Sequence, residues 1–164
     1  MATVLTHLFR HNRWANLAMF SACRGLSDKA LDTSVVGTYG SLRDTLLHLA
    51  RAEAGYLHRL SGAPRLIDRE APYPGLEPLI GLLDQTGSAL EAIADSIETD
   101  RTIRIEHEEG LADVPAFVIL LQVINHATEH RIHVATILTQ LGHEPPDLDL
   151  WQYDLVGLAK SPSS

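Results

Sequence analysis

Asn125-His126-Ala127-Thr128-Glu129-His130-Arg131 is the stretch whose reading decides the fold and the chemistry together. It lies inside a long apolar run, Phe117 to Leu141, whose periodicity predicts one helix. Residues i and i+4 of a helix share a face, about one turn apart. His126 and His130 are so spaced, and two imidazoles in that relation can grip one divalent metal; imidazole suits zinc, nickel, copper and iron. A third histidine, His48, sits in a second apolar helical segment, Leu46-Leu47-His48-Leu49. Three neutral nitrogens from two helices would leave the metal's charge uncompensated and a coordination position open, the arrangement of a reactive site rather than a structural one. Taken alone, each part has a plainer reading: a half-exposed pair on a helix flank, and a core-edge histidine bonded to a carbonyl.

Working outward, the pattern predicts four long helices. The first runs from about Ala2 to Cys23, with Val4, Leu5, Leu8, Ala15, Ala18, Met19 and Ala22 on one stripe and Gly25 as its stop. The second opens at Ser41, a plausible N-cap with Asp44 three residues on, and ends near Gly62-Ala63-Pro64. The third spans roughly Leu76 to Ile97, and the fourth roughly Val114 to Leu141, closed by Gly142 and Pro145-Pro146. Thr102 to Glu106 alternates as a short strand or extended loop turning at Glu109-Gly110. Arg65 to Gly75 reads as an ordered crossover loop, Trp151 begins a short terminal helix, and Ser161 to Ser164 reads as a disordered tail. The expectation is an all-α fold: one four-helix bundle domain over residues 1–160, with inward side chains on facing helices available for a metal site.

Composition narrows the classes. Of 164 residues, 45% are hydrophobic and 5% aromatic, the weight falling on Leu, Ala, Ile and Val, which favours packed helices over disorder. The formal net charge is -8 and the basic residues look scattered, which argues against nucleic acid and against an anionic membrane surface. No run approaches the ~20 apolar residues of a membrane span. Cys23 is the single cysteine, so no internal disulfide forms, as fits a cytoplasmic protein.

Other residues are out of place for a plain bundle. Glu53 falls near the centre of an apolar face, and a buried carboxylate needs a partner or a metal. Arg131 lies on the apolar side of the fourth helix. The two read as a buried ion pair or as part of a site. His133 continues the stripe of His126 and His130. His7 and His11 are also four apart and the spacing does not exclude them. Cys23 reads as a small buried hydrophobe. Phosphate loops, nucleophile elbows and Cys-x-x-Cys pairs are absent from the sequence, so catalysis without a metal has little to work with.

Four places in order along nearly the whole chain resemble the DinB-like family of metal-binding four-helix bundles. They are His11-Asn12-Arg13-Trp14-Ala15-Asn16; Ser41 through Leu49 with Ala52-Glu53 and Tyr56-Leu57; Asn125-His126 and His130-Arg131 leading to Leu138-Thr139-Gln140-Leu141-Gly142; and Trp151-Gln152-Tyr153. The resemblance implies an up-down-down-up bundle, often a homodimer, and a metal triad of His48, His126 and His130, which ranks His7 and His11 lower. The family commonly reads His-Arg-Gly-Gln where this chain has His130-Arg131-Ile132-His133. Related bundles include thiol transferases and thiol-dependent isomerases. The leading expectation is therefore a metal-dependent enzyme, a hydrolase or thiol S-transferase-like protein, with zinc or nickel and a low-molecular-weight thiol, acting on a small electrophile. A divalent ion can stabilise a thiolate or acidify water. Glu53 and His133 are the candidate bases or orienting partners, and Arg131 the candidate for contacting a cofactor. The alternative is a non-catalytic metal-binding or stress-associated scaffold. A pocket beside the open metal position would favour the enzyme.

Overall fold

The structure is a computed structural model describing residues 2–98, 100–107 and 110–160. Its elements are α1 (Val4–Ala22), α2 (Asp28–Leu31), α3 (Leu42–Ser61), α4 (Leu76–Ser96), β1 (Thr102–His107), β2 (Gly110–Pro115), α5 (Ala116–Gln140) and α6 (Leu150–Lys160). Helices α1, α3, α4 and α5 form the expected all-α bundle. The expected tail, Ser161 to Ser164, and the expected turn residue Glu109 lie outside the described residues.

Local chemistry sets the helix ends. Ser41 accepts the Asp44 amide at 3.1 Å, and the Asp44 carboxylate accepts the Ser41 amide at 3.2 Å, the reciprocal cap expected for α3. Such a cap is worth about 1 kcal/mol. Gly62 ends α3 at φ +71°, a left-handed conformation that costs glycine nothing. Thr3 and Thr6 make a similar reciprocal cap on α1.

Helix directions follow from the contacts. Arg24 at the end of α1 bonds Glu77 at the start of α4 (2.7 Å), while Arg10 bonds Glu91 near the end of α4 (2.5 Å), so α1 and α4 run antiparallel. One apolar cluster gathers Met19, Leu46, Leu79 and Leu138; the other gathers Phe9, Leu57, Leu90 and Leu120. The order along the axis makes α1 and α5 parallel to each other and opposite to α3 and α4, an up-down-down-up arrangement. A Cβ on Gly87 of α4 would come within 2.7 Å of the Arg13 side chain, so α1 and α4 approach closely there.

Between the two apolar clusters lies a buried polar layer with a member from every long helix. The Glu53 carboxylate, 3% exposed, accepts Nδ2–H from Asn12 (3.3 Å) and Asn16 (2.7 Å) and the Thr86 hydroxyl (2.5 Å). Arg131 Nη1 donates to Asn12 Oδ1 (2.7 Å) and Asn16 Oδ1 (2.6 Å). The two asparagines thus relay between carboxylate and guanidinium. The link between the two charges is indirect, and both charged groups of the layer are hydrogen-bonded.

Three departures from the sequence reading have local causes. Gly110–Pro115 forms a second strand that takes in Val114 and Pro115, expected at the start of the fourth long helix, and pairs Ile103 with Val114 and Thr102 with Pro115. Proline at 115 then ends the strand and begins the helix, since it has no amide to donate. The short α2 was not anticipated; Ser27 caps it. On α5 the buried row is Ala116, Ile119, Leu120, Val123, Ala127, His130, Arg131, Val134, Ile137 and Leu138. Phe117, which opens the apolar run of the sequence, is 43% exposed. The core-facing stripe is rotated towards the histidines.

Candidate metal centre

Helices α3 and α5 pack face to face and bring His48, His126 and His130 together. One ring nitrogen from each lies within 4.8 Å of the others, and these three residues can hold a divalent metal ion. His48 Nε2 and His126 Nε2 are 3.0 Å apart. Two nitrogens each ~2.1 Å from a common ion can be at most ~4.2 Å apart, so this spacing fits a shared ion. His130 is 4% exposed, its ring centroid 4.3 Å from that of His126 and 4.6 Å from that of His48. His7 and His11 do not join them: His11 Nε2 bonds the Leu148 carbonyl (2.7 Å), and its ring packs beside Trp14 and Tyr153.

The electrostatics favour neutral imidazoles. Burial, then the neighbouring imidazoles, push His126 and His130 down to about 4. Burial also lowers His48, helped by the charge of Arg51 and opposed by Glu129. Neutral imidazole is the form that ligates a metal, so the site's own field prepares its donors.

Around the triad sit residues that sequence reasoning placed in part. His133 Nδ1 lies 3.3 Å from His130 Nδ1. That contact leaves His130 Nε2 for the cluster. Tyr39, from the loop before α3, stacks on His48 (centroids 4.0 Å, planes 23° apart) and meets His130 edge-on. Nothing in its local sequence marks Tyr39, because the contact crosses from a loop to two helices. Tyr56 meets His126 edge-on at 5.8 Å. Glu53 and Arg131 belong to the polar layer; among the described residues neither makes a hydrogen bond to any of the three histidines.

An open cavity of about 300 Å³ adjoins the triad, with His48 and His126 in its wall. Arginines from α3 and the following loop form much of the rest. The basic residues that look scattered in the sequence are therefore partly gathered here. Cys23 is buried, its thiol pushed up to about 12 by desolvation, as suits a core hydrophobe. Among the described residues, no helix is long and apolar enough to cross a membrane.

No curated protein matches the chain. The DinB family matches residues 1–156, nearly the whole length, and spans the bundle, the triad and most of α6. A four-helix bundle carrying a three-histidine cluster on its second and last long helices, matched over that span, belongs to the DinB family.

Proposed function

We propose that the chain is a cytoplasmic metal-dependent enzyme, hydrolase or thiol S-transferase-like, acting on a small electrophilic substrate at the His48–His126–His130 centre. The observation that carries this reading is the open cavity against His48 and His126. An open recess beside the histidines gives a small substrate access to an ion held there, which a fully enclosed structural site does not. A bound divalent ion, zinc or nickel, would supply Lewis acidity at a position that three neutral imidazoles leave uncompensated. The attacking group is a low-molecular-weight thiol or water, since the only cysteine is buried with its proton held.

The chain's own residues prepare that position. His48, His126 and His130 would hold the ion. His133 is a positioning residue: by accepting the Nδ1 proton of His130 it fixes the tautomer that offers Nε2. Tyr39 covers one face of His48 and excludes water from it. Glu53 and Arg131, candidates for base and cofactor contact on sequence grounds, are read as packing elements that hold α1, α3, α4 and α5 in register.

The test is turnover. Protein purified without immobilised nickel and loaded with zinc or nickel is assayed against panels of thiols with electrophiles, and of hydrolysable esters and amides. Activity is expected that chelation removes, that His48→Ala abolishes, and that Cys23→Ser leaves intact. Activity that survives complete chelation would sink the reading.

The same proposal includes a homodimer. Leu8, Phe117, Val118, Leu121 and Ile124 line a groove between α1 and α5 whose remaining members, Gln122, Asn125 and Thr128, are uncharged. A charge-free face on a chain of net charge -8 is the surface two copies can share without repulsion. Leu121 is 54% exposed there. Light scattering at micromolar concentration is expected to give twice 18.0 kDa, and Leu121→Glu to give the monomer. A monomeric wild type removes the dimer from the proposal.

A further inference from the structure

Four arginines converge on the cavity beside the triad: Arg51 and Arg59 from α3, and Arg65 and Arg69 from the loop that follows it. Position 48 and positions 51, 55 and 59 lie along one side of α3, so one helix face carries a ligand histidine and two guanidinium groups. The loop then folds back and adds two more. Neither Asp nor Glu lines the cavity.

This convergence is unusual in an acidic chain. Arg10, Arg13, Arg24, Arg43 and Arg104 each bond a carboxylate. Among the described residues, none of the four cavity arginines has a carboxylate oxygen within ion-pair distance. Arg51 donates to the Ala71 carbonyl, yet its Nε is buried without a hydrogen-bond partner. Arg59 lies over the Tyr56 ring, 5.7 Å from its centroid. Arg65 rests on bare helix backbone: a Cβ at Gly55 would meet its Nη1 at 2.9 Å. Burial, then the fields of Arg69 and Arg59, pull Arg65 below its ordinary value, and Asp68 opposes them. Like charges held together with one side open favour a counterion, and among the described residues no carboxylate pairs directly with them.

We infer that this cavity binds the anionic end of the substrate, a carboxylate or phosphate group, through Arg51, Arg59, Arg65 and Arg69. The inference deepens the proposed function and rests on it for the word substrate. The guanidinium fork matches both anions, giving paired charge-assisted hydrogen bonds that an ammonium group does not. A volume of about 300 Å³ fits a small molecule rather than a polymer. The charged end would sit among the arginines and the reacting end against His48 and His126, so that binding also orients.

The experiment titrates inorganic phosphate, and separately succinate, into zinc-loaded wild type at low and physiological salt, followed calorimetrically. Saturable binding is expected, weakening as salt rises. Arg59→Gln/Arg69→Gln should weaken it by about tenfold or more with metal content unchanged, because charge-assisted bonds are lost. Thermal unfolding of that variant should stay near wild type, since neither side chain is in the core. Which of the two anions binds more tightly identifies the group. Metal-free wild type separates this inference from the metal reading: its four arginines are intact, so it should keep phosphate or succinate binding within about threefold. Absence of saturable binding in wild type, an unchanged affinity in the arginine variant, or binding that vanishes when the metal is removed overturns the inference.

Discussion

Metal content is expected to fall from about one divalent ion per chain to less than about a tenth when His126 and His130 are both replaced by alanine. Losing a residue that merely orients a ligand costs roughly 10–100-fold in metal affinity. Removing two of three ligands must cost more, on the order of a thousandfold, and a single imidazole cannot retain the ion through dialysis. His133→Ala, which only frees His130 Nδ1, should fall in the smaller range. The fold should survive, because the leucine clusters above and below the site are untouched. Elemental analysis with circular dichroism checks both halves; unchanged metal content would refute the triad.

Acid should release the metal later than an ordinary histidine site does. An imidazole of pKa near 6.5 begins to lose metal below about pH 6. Here His126 and His130 lie at about 4, so protons compete only weakly between pH 7 and 6, and affinity should drop steeply below about 5. The same depression has a sign for the metal-free fold. The unfolded chain takes protons at these positions near pH 6.5 while the folded chain resists until about 4. Their contribution to stability is therefore full above 6.5 and lost as pH falls through that window.

The second large effect is expected from Arg131→Met. It removes the one positive charge in the polar layer, leaving Asn12 Oδ1 and Asn16 Oδ1 without their donor and the Glu53 carboxylate without a counter-charge. Breaking one side of a buried charge arrangement costs about 3–5 kcal/mol. Glu53 supplies a pH signature. Burial already pushes it up to about 7, against the pull of Thr86, Arg131, Asn12 and Asn16. Without Arg131 its folded pKa rises further. The variant's penalty should be full only above the variant's own folded pKa and should shrink as pH falls from there through about 7, so it is larger at pH 8 than at pH 5.5. Urea unfolding of wild type and variant at pH 8 and 5.5 reads this directly. A loss below about 1 kcal/mol at pH 8, or an equal loss at both, would show that the layer is not electrostatically coupled.

How much of this was legible in the sequence depends on the range of each interaction. The α3 cap was readable because Ser41 and Asp44 are three residues apart and bond within one turn. The four long helices were readable because periodicity is local and their cores are leucine-rich. His126 and His130 were readable because helical spacing alone puts them on one face. His48 required more: its apolar segment made it a candidate, and the family pattern chose it over His7 and His11. The second strand was missed because six residues of weak alternation carry little signal until Ile103 pairs with Val114.

Three things waited for the tertiary structure, and each is a relation between side chains far apart in the chain. The partners of Glu53 come from α1, α4 and, through the asparagines, α5, and no local pattern predicts which polar atoms meet in a buried layer. Tyr39 stacks on His48 only because the loop before α3 turns back over that helix. Arg59, Arg65 and Arg69 look like surface charges along the sequence. They become one wall of a cavity because the loop after α3 folds against the Gly55 face, where the missing side chain leaves room for Arg65. The four long helices and the shared face of His126 and His130 are written in periodicity within single segments, whereas His48 joined them through the family pattern. Packing alone decided where the buried charges balance and where positive charge is left facing an open site.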